Sequence, residues 1–462
     1  MEEIEDIRSQ INIEIELKSN LITRFAPSPT GLLHVGNART ALLNFLVSNK
    51  DKGKFILRID DTDEERSKDE YVVQIKEDLL WLGIEFDEVY KQSERIKLYD
   101  VAFESLVNKG LIYPCFETPE DLENKRKRLI ARRMPPVYDR ASLSLSEEDI
   151  KEKIDSGIEP YWRFKLSNKR INFNDIIRGE INVDTAAQSD PVIKRIDGGY
   201  LYNLPSVVDD IDMKISHIIR GEDHITNSGI QIEIFEALDS SPPIFGHNSL
   251  LVRENGEPFS KRDSASSISQ LKEEGFESIA INSLNASIGS SLNIEAFSSL
   301  DEIAERFEIT SLGKSSARYS IDQLVKLNSQ VISGYDFETI SKFLDNKYPD
   351  INENLWDCIK QNISNLSEID EWYNVINGSI AIDSDRDTDF LKLAEQLLPN
   401  EPWNESTWDN WISILKKETG KSGKDLFLPL RLAITGKSRG PELNKLILLI
   451  GYNEIKNRLL SE

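Results

Sequence analysis

The sequence is poor in cysteine and histidine, and it contains no long apolar run. Only two cysteines occur in 462 residues, Cys115 and Cys358, together with four histidines. Two cysteines so far apart argue against a disulfide scaffold and against a cysteine-rich zinc site, and they fit a reducing compartment. No apolar stretch approaches the ~20 residues that span a bilayer, and residues 1–6 are acidic where a secretion or transit signal would be basic. We therefore expect a cytoplasmic protein without a membrane segment.

Basic residues are also in deficit, because 56 Lys and Arg face 80 Asp and Glu, which gives a formal net charge of −24. This balance speaks against general affinity for nucleic acid, which Lys and Arg provide. Net charge describes only the average, however, and a local basic patch can still dock phosphates. One patch lies on a predicted helix from Pro119 to Arg133 and contains Lys125, Arg126, Lys127, Arg128, Arg132 and Arg133. Alone, the patch is equally well explained as a solvated charged face.

The length allows two to four domains with sizeable cores, and an apolar fraction of 39% is ordinary for a globular protein. A β-prone run at 21–25 leads through a Pro- and Gly-containing loop into a helical pattern that begins at His34. A buried-strand pattern at 54–59 is followed by a helix that ends before Gly83. Strand, helix, strand and helix in this order predict a parallel α/β sheet, whose ligands bind at the carboxyl ends of the strands.

The alternation of strands and helices stops after about residue 113 and returns at about residue 201, which indicates an insertion between two halves of the sheet. Within the second half we predict a strand near 215–224, a helix at 227–238 and a short strand at 248–252. Beyond about residue 265 the sequence shows only helical periodicity, with breaks rich in Ser and Asn. No internal repeat is evident.

The loop before the first helix carries the most specific pattern, Ala26-Pro27-Ser28-Pro29-Thr30-Gly31-Leu32-Leu33-His34-Val35-Gly36. A strand, loop and helix in this order aim the unpaired N–H groups and the positive dipole end of the helix at the loop, where a phosphate can bind. A single His-x-Gly is much more often an ordinary turn. The wider string resembles the HIGH motif of class I aminoacyl-tRNA synthetases, in the form carried by glutamyl-tRNA synthetases. Relatives specific for glutamine usually read Pro-Glu-Pro-Asn-Gly at this place.

The resemblance continues through residues 201–261. Tyr-Asn-x-x-x-Val-Val-Asp-Asp, Ile-x-Arg-Gly-Glu-Asp-His and Phe-Gly-His follow one another in the order of that family, and Phe259-Ser260-Lys261-Arg262 stands where the KMSKS motif is found. With the C-terminal motif at 428–436, the resemblance covers residue 21 to the end. It implies an α/β fold, with a Rossmann-like parallel sheet split by an α+β insertion and followed by all-helical C-terminal domains.

The resemblance also implies a division of the chain into six parts. They are an N-terminal extension (1–20), the first half of the catalytic domain (21–112), an acceptor-end-binding insertion (113–190), the second half of the catalytic domain (191–255), the KMSKS loop with a stem-contact helical domain (256–330), and a helical anticodon-binding region (331–462).

The implied activity is the ATP-dependent attachment of glutamate to tRNA(Glu), first as glutamyl-adenylate and then on the tRNA 3′ end, with Mg²⁺ on the leaving group. The glutamate carboxylate is itself the nucleophile, so the chemistry needs cations and hydrogen-bond donors around the phosphates and no Ser-His-Asp or Cys-His arrangement. By resemblance, His34 and Lys261 are catalytic, and the ATP site comprises Pro27, His34, Gly36, Asn37, Glu222, Ser260, Lys261 and Arg262.

The implied glutamate site comprises Arg24, Ser28, Asp60, Tyr202 and Arg220. Arginine suits the side-chain carboxylate because its planar fork matches a carboxylate bidentately, and Asp60 would face the amino group. The alternative for Arg24 and Arg220 is a structural ion pair with Asp209 or Glu222.

Three positions depart from the family pattern. Pro258 stands where the KMSKS loop usually begins with Lys, and Asn37 follows Gly36 where Gly or His is commoner. Many bacterial members hold zinc with Cys-x-Cys and a later cysteine in the insertion, whereas Cys115-Phe116-Glu117 lacks the second cysteine. We therefore predict no structural zinc.

Three other functions compete with this interpretation. A paralogue that glutamylates a modified tRNA nucleoside lacks the C-terminal domain, and a glutaminyl enzyme would differ at Ser28-Pro29-Thr30 and carry C-terminal β-barrels. A catalytically impaired tRNA-binding protein is supported by Pro258 and opposed by the intact His34 and Lys261. We expect a monomer whose partners are glutamate and tRNA(Glu); the sequence leaves open whether tRNA(Gln) is also charged.

Overall fold

The computed structural model describes residues 21–257, 259, 267–344, 348, 350–378, 380 and 386–460. Their strands are β1 (Ile22–Phe25), β2 (Lys54–Ile59), β3 (Glu88–Lys91), β4 (Ile112–Cys115), β5 (Tyr161–Phe164), β6 (Arg170–Asp175), β7 (Gly179–Asp184), β8 (Val192–Lys194), β9 (His217–Gly221), β10 (Ile244–Asn248), β11 (Leu251–Arg253) and β12 (Ala317–Tyr319).

The α-helices up to residue 306 are α1 (Val35–Lys50), α2 (Asp69–Trp81), α3 (Ile96–Asn108), α4 (Pro119–Ala131), α5 (Glu147–Asp155), α6 (Asn203–Asp212), α7 (Ile225–Ala237), α8 (Ile268–Glu273), α9 (Ser278–Ser287) and α10 (Leu300–Arg306). The later helices are α11 (Ile321–Gly334), α12 (Phe337–Leu344), α13 (Glu353–Ile359), α14 (Ile369–Asn377), α15 (Thr388–Gln396), α16 (Thr407–Thr419), α17 (Lys424–Thr435), α18 (Leu443–Ile450) and α19 (Tyr452–Leu460).

The described chain divides into two compact units, one formed by residues 21–274 and 281–320 and the other by residues 275–280 and 321–460. The first unit holds all the strands. The second unit is helical, and its core includes the fully buried indole rings of Trp356 and Trp411.

The first unit is built on parallel strands, as the alternation of strands and helices predicted. β1, β2 and β3 pair in parallel, and so do β9, β10 and β6. The backbone N–H of Ser216 donates to the carbonyl of Ile22 at 2.9 Å, which sets the start of β9 beside β1. The two parallel groups therefore run side by side, and their carboxyl ends share one edge of the fold.

The apolar pattern of each strand explains why helices cover both faces of this sheet. β2 reads Lys-Phe-Ile-Leu-Arg-Ile and is buried from Phe55 to Ile59, as expected for a parallel strand covered on both sides. α1 is equally apolar where it faces the sheet, with Val35, Ala38 and Leu42 fully buried. The loop between β1 and α1 is thereby held at the carboxyl edge of the sheet.

The segment predicted as an insertion contributes to two different sheets. β4, β5 and β8 form an antiparallel sheet with α4 and α5 nearby in sequence. The hairpin of β6 and β7 instead extends the catalytic sheet, because β6 pairs with β10 through Asp175 and Phe245. Part of the range 113–190 thus belongs structurally to the sheet that carries the site.

Several sequence predictions were wrong in detail. The strand predicted at 248–252 is the end of β10 and the start of β11, two separate strands joined by a bend. The region beyond 265 is not purely helical, since β12 pairs in parallel with β11. The predicted helix Pro119–Arg133 ends at Ala131, because Arg133 takes a left-handed backbone conformation with φ 56°.

Among the residues described, no helix combines the length and the apolar character needed to cross a bilayer.

Candidate active site

The loop between β1 and α1 is closed by its own histidine. His34 is the N-cap of α1, and its Nδ1 accepts hydrogen bonds from the N–H groups of Gly36 at 3.1 Å and Asn37 at 3.4 Å. The N–H groups expected from the sequence to be unpaired are therefore hydrogen-bonded, and that expectation was wrong. Because Nδ1 is an acceptor, a proton on the neutral ring is on Nε2.

Gly36 is favoured here by space. A Cβ atom at this position would lie 3.1 Å from both Cε1 and Nδ1 of His34, a tight contact that would press on the imidazole ring. Pro27 is buried and accepts a hydrogen bond from the N–H of Asp60 at 3.0 Å, whereas Ser28 and Asn37 are exposed. The structure thus brings the predicted loop residues to the mouth of the site and ties the loop to Asp60 on the neighbouring strand.

Arg220, near the carboxyl end of β9, is a buried cation held only by neutral groups. Its Nη1 donates to the hydroxyl of Tyr202 at 2.9 Å, and its Nη2 donates to Ser228 Oγ at 2.6 Å and to Gln231 Oε1 at 2.7 Å. A guanidinium has five N–H donors, so two remain, one on Nη1 and one on Nε. The Nε atom is buried and has no hydrogen-bond acceptor in the part of the chain that the structure describes.

This arrangement leaves a desolvated positive charge without a carboxylate acceptor among the described residues. Burial lowers the pKa of Arg220, although an arginine remains charged at neutral pH. An unpaired buried charge costs free energy unless a ligand or counter-ion compensates it. Arg220 is therefore suited to bind an anionic group.

Arg24, on β1, has a different environment. Its Nε and Nη2 donate to the two carboxylate oxygens of Asp210 at 3.1 and 3.3 Å. The sequence analysis considered an ion pair with Asp209 or Glu222 as the alternative role of Arg24, and the structure provides one with Asp210 instead. The ion pair uses two of the five donors of Arg24, so other N–H groups remain for a ligand.

Arg58 joins Asp210 to Asp60. Its Nε donates to Asp60 Oδ1 at 2.7 Å, and its Nη1 donates to Asp210 Oδ1 at 2.8 Å. Burial raises the pKa of Asp60 to about 6, while Arg58 opposes that shift. Burial also acts on Asp210, but Arg24 and Arg58 outweigh it and lower its pKa. Both carboxylates are therefore ionised at neutral pH, and Asp60 is held rigidly at the end of β2.

Tyr202 and His224 form the half-exposed rim of the Arg220 site. The Tyr202 hydroxyl lies 3.3 Å from His224 Nδ1, and the two ring centroids are 5.8 Å apart. Burial, followed by the nearby positive charge of Arg220, lowers the pKa of His224 to about 4. His224 is consequently neutral at pH 7, and the rim adds no second positive charge beside Arg220.

Glu222, predicted to contact ATP, is engaged within the protein. Its Oε2 accepts from Arg178 Nη2 at 2.5 Å, and its Oε1 accepts from the N–H of Leu250 at 3.1 Å. These contacts hold the end of β9 against the segment between β10 and β11. Ser260, Lys261 and Arg262, the remaining predicted ATP contacts, lie outside the described residues, as does Pro258.

Sequence reasoning did not assign a site role to several residues that the structure brings together here. They are Arg58, Asp210, His224, Ser228, Gln231 and His247. Asp210, His224 and His247 belong to the motifs Val-Val-Asp-Asp, Ile-x-Arg-Gly-Glu-Asp-His and Phe-Gly-His, so the motifs contained a signal. Ser228 and Gln231 lie on α7 without any pattern that distinguishes them from core positions.

Residues 20–326 match a family model described as the catalytic domain of class I tRNA synthetases of the E and Q group. This chain is a member of that synthetase family. A second model, described as an anticodon-binding domain, matches residues 336–461. The prediction of a class I synthetase is thereby confirmed.

Relatives of this synthetase are similar over nearly their whole length. Glutamate–tRNA ligase 2 of Beijerinckia indica is 48% identical over 447 residues, which is 96% of this chain and 99% of that protein. Glutamate–tRNA ligase 1 of Brucella canis is 45% identical over 450 residues, which is 94% of this chain and 98% of that protein.

A solved structure is similar as well. The crystal structure of a glutamate tRNA ligase from Elizabethkingia meningosepticum, in complex with its amino acid, has a TM-score of 0.83 at 28% identity and covers 96% of this chain and 98% of that one. The predicted fold class, a Rossmann-like parallel sheet with a helical C-terminal region, is confirmed by this likeness.

The synthetase has a hydrogen-bonded cluster at the place where the zinc-binding pattern is incomplete. Glu117 accepts hydrogen bonds from the hydroxyls of Tyr138 at 2.8 Å, Ser142 at 3.0 Å and Tyr161 at 3.2 Å. Cys115 Sγ lies 3.6 Å from the Tyr138 hydroxyl. The residues that the structure describes contain no group of three or more His, Cys, Asp or Glu side chains able to hold a metal ion.

Proposed function

We propose that this synthetase attaches glutamate to tRNA(Glu) in two steps. In the first step an oxygen of the glutamate α-carboxylate attacks the α-phosphorus of ATP, the bond to the β-phosphate breaks, and pyrophosphate leaves. In the second step the terminal ribose hydroxyl of tRNA attacks the acyl carbon of glutamyl-adenylate, and AMP leaves. The full-length similarity to proteins named glutamate–tRNA ligase supports this reaction.

The proposed amino-acid specificity rests on one observation, the burial of Arg220 and its hydrogen bonds to neutral acceptors. A buried guanidinium bound only to neutral acceptors is complementary to a carboxylate, because charge pairing would compensate its desolvation. The neutral amide of glutamine would leave the charge uncompensated. We propose that the side-chain carboxylate of glutamate binds Arg220 and Tyr202, with Arg24 contributing its remaining donors.

Asp60 is proposed to receive the amino group of glutamate. A carboxylate offers about four acceptor positions, and the hydrogen bonds from Arg58 use only one on each oxygen of Asp60. Asp60 is therefore both ionised and oriented, and an ammonium group can pair with it. Ser28 lies exposed at the same mouth and is proposed to contact the substrate as well.

The ATP site is proposed to lie over the start of α1. His34 would contact the phosphates, Gly36 would let the adenine approach the backbone, and Pro27 and Asn37 would line the loop. Ser260, Lys261 and Arg262 keep the phosphate-binding role that the resemblance gives them. Glu222 is better placed to fix the end of β9 through Arg178 than to touch ATP.

Mg²⁺ is expected to accompany the phosphates of ATP. Proteins that use Mg²⁺ with nucleotides commonly supply only one or two carboxylates and leave the other positions to phosphate and water. The described residues form no dedicated metal group, so phosphate oxygens and water would supply most of the Mg²⁺ ligands.

The exposed face of α4 is proposed to contact the acceptor end of the tRNA. Lys125 pairs with Asp139 at 3.0 Å and Arg126 with Glu123 at 3.5 Å. Arg128 and Arg132 are exposed, and no carboxylate of the described chain lies within ion-pair distance of them. Two cations on one helix face can neutralise phosphates despite the negative net charge.

We further propose that the enzyme acts as a cytoplasmic monomer, to be checked by light scattering on the purified protein.

The test is charging of separate tRNA isoacceptors with radiolabelled amino acid. We expect ATP-dependent transfer of glutamate to tRNA(Glu) and no transfer of glutamine to any isoacceptor. Glutamate transfer to tRNA(Gln) in a parallel reaction would define a wider tRNA range for the same enzyme. Transfer of glutamine at a rate comparable to glutamate, or no transfer of either, would contradict the proposed function.

A further inference from the structure

The neighbouring strand places a buried histidine beside Arg220. β9 and β10 pair in parallel with Arg220 opposite His247, and residues paired in this way have their side chains on the same face of a sheet. The side chain of His247 is completely buried. It makes no direct hydrogen bond with Arg220, but one hydroxyl group lies between them.

That hydroxyl belongs to Ser228 on α7. Its Oγ accepts from Arg220 Nη2 at 2.6 Å and lies 2.7 Å from His247 Nε2. On the other side of the ring, His247 Nδ1 lies 2.6 Å from Asp175 Oδ2. Asp175, His247, Ser228 and Arg220 thus form a continuous buried chain of three short hydrogen bonds.

Asp175 is fixed more firmly than an ordinary side chain. Besides the imidazole, its carboxylate accepts from the N–H groups of Ile177 and Arg178, in the turn after β6, and from the N–H of His247. Although burial opposes ionisation, His247 and these backbone groups lower the pKa of Asp175. An ionised carboxylate only accepts hydrogen bonds, so His247 must donate from Nδ1.

The position of the remaining protons follows from this assignment. Burial lowers the pKa of His247 despite the nearby Asp175, so the ring is neutral and Nε2 is an acceptor. The Ser228 hydroxyl has two acceptors within reach, His247 Nε2 at 2.7 Å and the His224 carbonyl at 3.2 Å. Its hydrogen takes the shorter contact, to His247, and its oxygen lone pairs are left to face Arg220. In this state the short hydrogen bond to Nη2 is favoured and the guanidinium plane has one orientation.

We propose that His247 is a positioning residue, which acts through the Ser228 hydroxyl to hold the Arg220 guanidinium in the orientation that receives the glutamate side chain, with Asp175 fixing the imidazole. This proposal rests on the proposed function of Arg220. Arginine has high rotamer entropy, and a site that orients it before the substrate arrives avoids that cost during binding.

The test compares Ser228→Ala and His247→Gln with wild type in tRNA-stimulated ATP–pyrophosphate exchange. Each variant should raise the KM for glutamate about tenfold or more, because a hydrogen bond to a charged group is lost or misdirected. The KM for ATP should change less than about twofold. Ser228→Ala retains a good helix former on α7, so it tests the proposal even if His247→Gln is unstable.

Two controls use residues of the same type that do not contact Arg220. Ser48→Ala removes a buried hydroxyl that bonds only to carbonyls of its own helix. His217→Gln replaces a half-buried histidine on β9, whose Nδ1 lies 2.9 Å from Ser216 Oγ. Neither control should change the ratio of the two KM values.

A double variant distinguishes a linked chain from two separate structural defects. If Ser228 and His247 act on Arg220 in series, the effect of Ser228→Ala together with His247→Gln should be no larger than that of Ser228→Ala alone. Multiplicative effects, an unchanged KM for glutamate in Ser228→Ala, or equal loss for glutamate and ATP would each overturn the proposal. A wild-type enzyme that fails to charge tRNA with glutamate would instead refute the proposed function.

Discussion

At the scale of single residues, Asp78 is a buried carboxyl that makes no ion pair within the described chain. It lies on α2 and is 1% exposed, its Oδ1 accepts from Gln74 Nε2 at 2.9 Å, and its Oδ2 has no hydrogen-bond partner in the described chain. Burial raises the pKa of Asp78 to about 6. Between pH 4 and pH 6 the folded protein therefore holds a proton that the unfolded chain has released.

The raised pKa of Asp78 in the folded protein predicts how the free energy of unfolding changes with pH. Because the folded state binds more protons in that window, the contribution of Asp78 to stability falls as the pH rises through it, and the ionised carboxylate is destabilising at pH 8. Asp78→Asn should raise the free energy of unfolding of its unit by roughly 1–3 kcal/mol at pH 8 and by much less at pH 5. Thermal melts at both pH values measure this, with Glu70→Gln on the exposed side of the same helix as the control. An equal shift at both pH values would show that ionisation of Asp78 is not the cause.

Lys261 carries a second prediction at this scale, made from the sequence because the residue lies outside the described chain. An ammonium on the leaving phosphates should stabilise the transition state more than bound ATP. Lys261→Ala should lower the turnover number by on the order of a hundredfold with a smaller change in the KM for ATP. Unchanged turnover would assign this role to another cation, such as Arg262.

The residues of the site could be predicted from the sequence only where a motif carried them. Arg24 and Arg220 were both expected to bind a carboxylate, and the structure separates them, since Arg24 donates to Asp210 while Arg220 donates only to neutral groups. Which carboxylate reaches an arginine depends on how elements more than a hundred residues apart pack, as β1 and α6 do at Arg24 and Asp210. Local patterns carry no information on that packing.

At the scale of elements, the Glu117 cluster occupies the part of the antiparallel sheet where the zinc pattern is incomplete. Three hydroxyls converge on one carboxylate that belongs to the segment after β4. A tetrahedral zinc site needs about four ligands, usually with several thiolates, and Cys115 is the only cysteine between residues 113 and 190. The purified, untagged protein should contain no stoichiometric zinc.

Elemental analysis by mass spectrometry checks this prediction, with the protein dialysed against zinc beforehand. About one zinc per chain that survives dialysis against a chelator would contradict it. A companion measurement is the melting temperature with and without chelator, which should be the same.

Elements with a strong periodic pattern were predicted well, and elements defined by long-range pairing were not. β2 was predicted with its observed bounds because its apolar run ends in acidic residues. The strand predicted at 248–252 covers only the last residue of β10 and the first two of β11, and β12 was missed, because the three-residue strands β11 and β12 leave no periodicity. The β6–β7 hairpin was assigned to the insertion because nothing local shows that it pairs with β10.

At the scale of the whole molecule, the charge at the site is opposite in sign to the net charge of the chain. The net charge is −24, yet the centre of the site is formed by Arg24, Arg58 and Arg220, and α4 has exposed arginines. Acidic residues elsewhere lower affinity for nonspecific polyanions. A protein of this kind can combine a negative surface with local recognition of phosphates and carboxylates.

We propose that the buried guanidinium of Arg220, which hydrogen-bonds to no carboxylate of the described chain, makes this a glutamate enzyme. Removing one partner of a buried charge pair typically costs about 3–5 kcal/mol, which corresponds to a loss of roughly two to three orders of magnitude or more in kcat/KM. Arg220→Lys keeps the charge but not the planar fork, so its activity should be intermediate.

The most direct measurement is tRNA-stimulated ATP–pyrophosphate exchange by wild type, Arg220→Lys and Arg220→Ala, with glutamate and ATP varied in turn. We predict that Arg220→Ala lowers kcat/KM for glutamate by about two to three orders of magnitude and leaves the KM for ATP nearly unchanged. Loss of ATP affinity with glutamate kinetics preserved, or activation of glutamine by the wild type as readily as glutamate, would contradict this account.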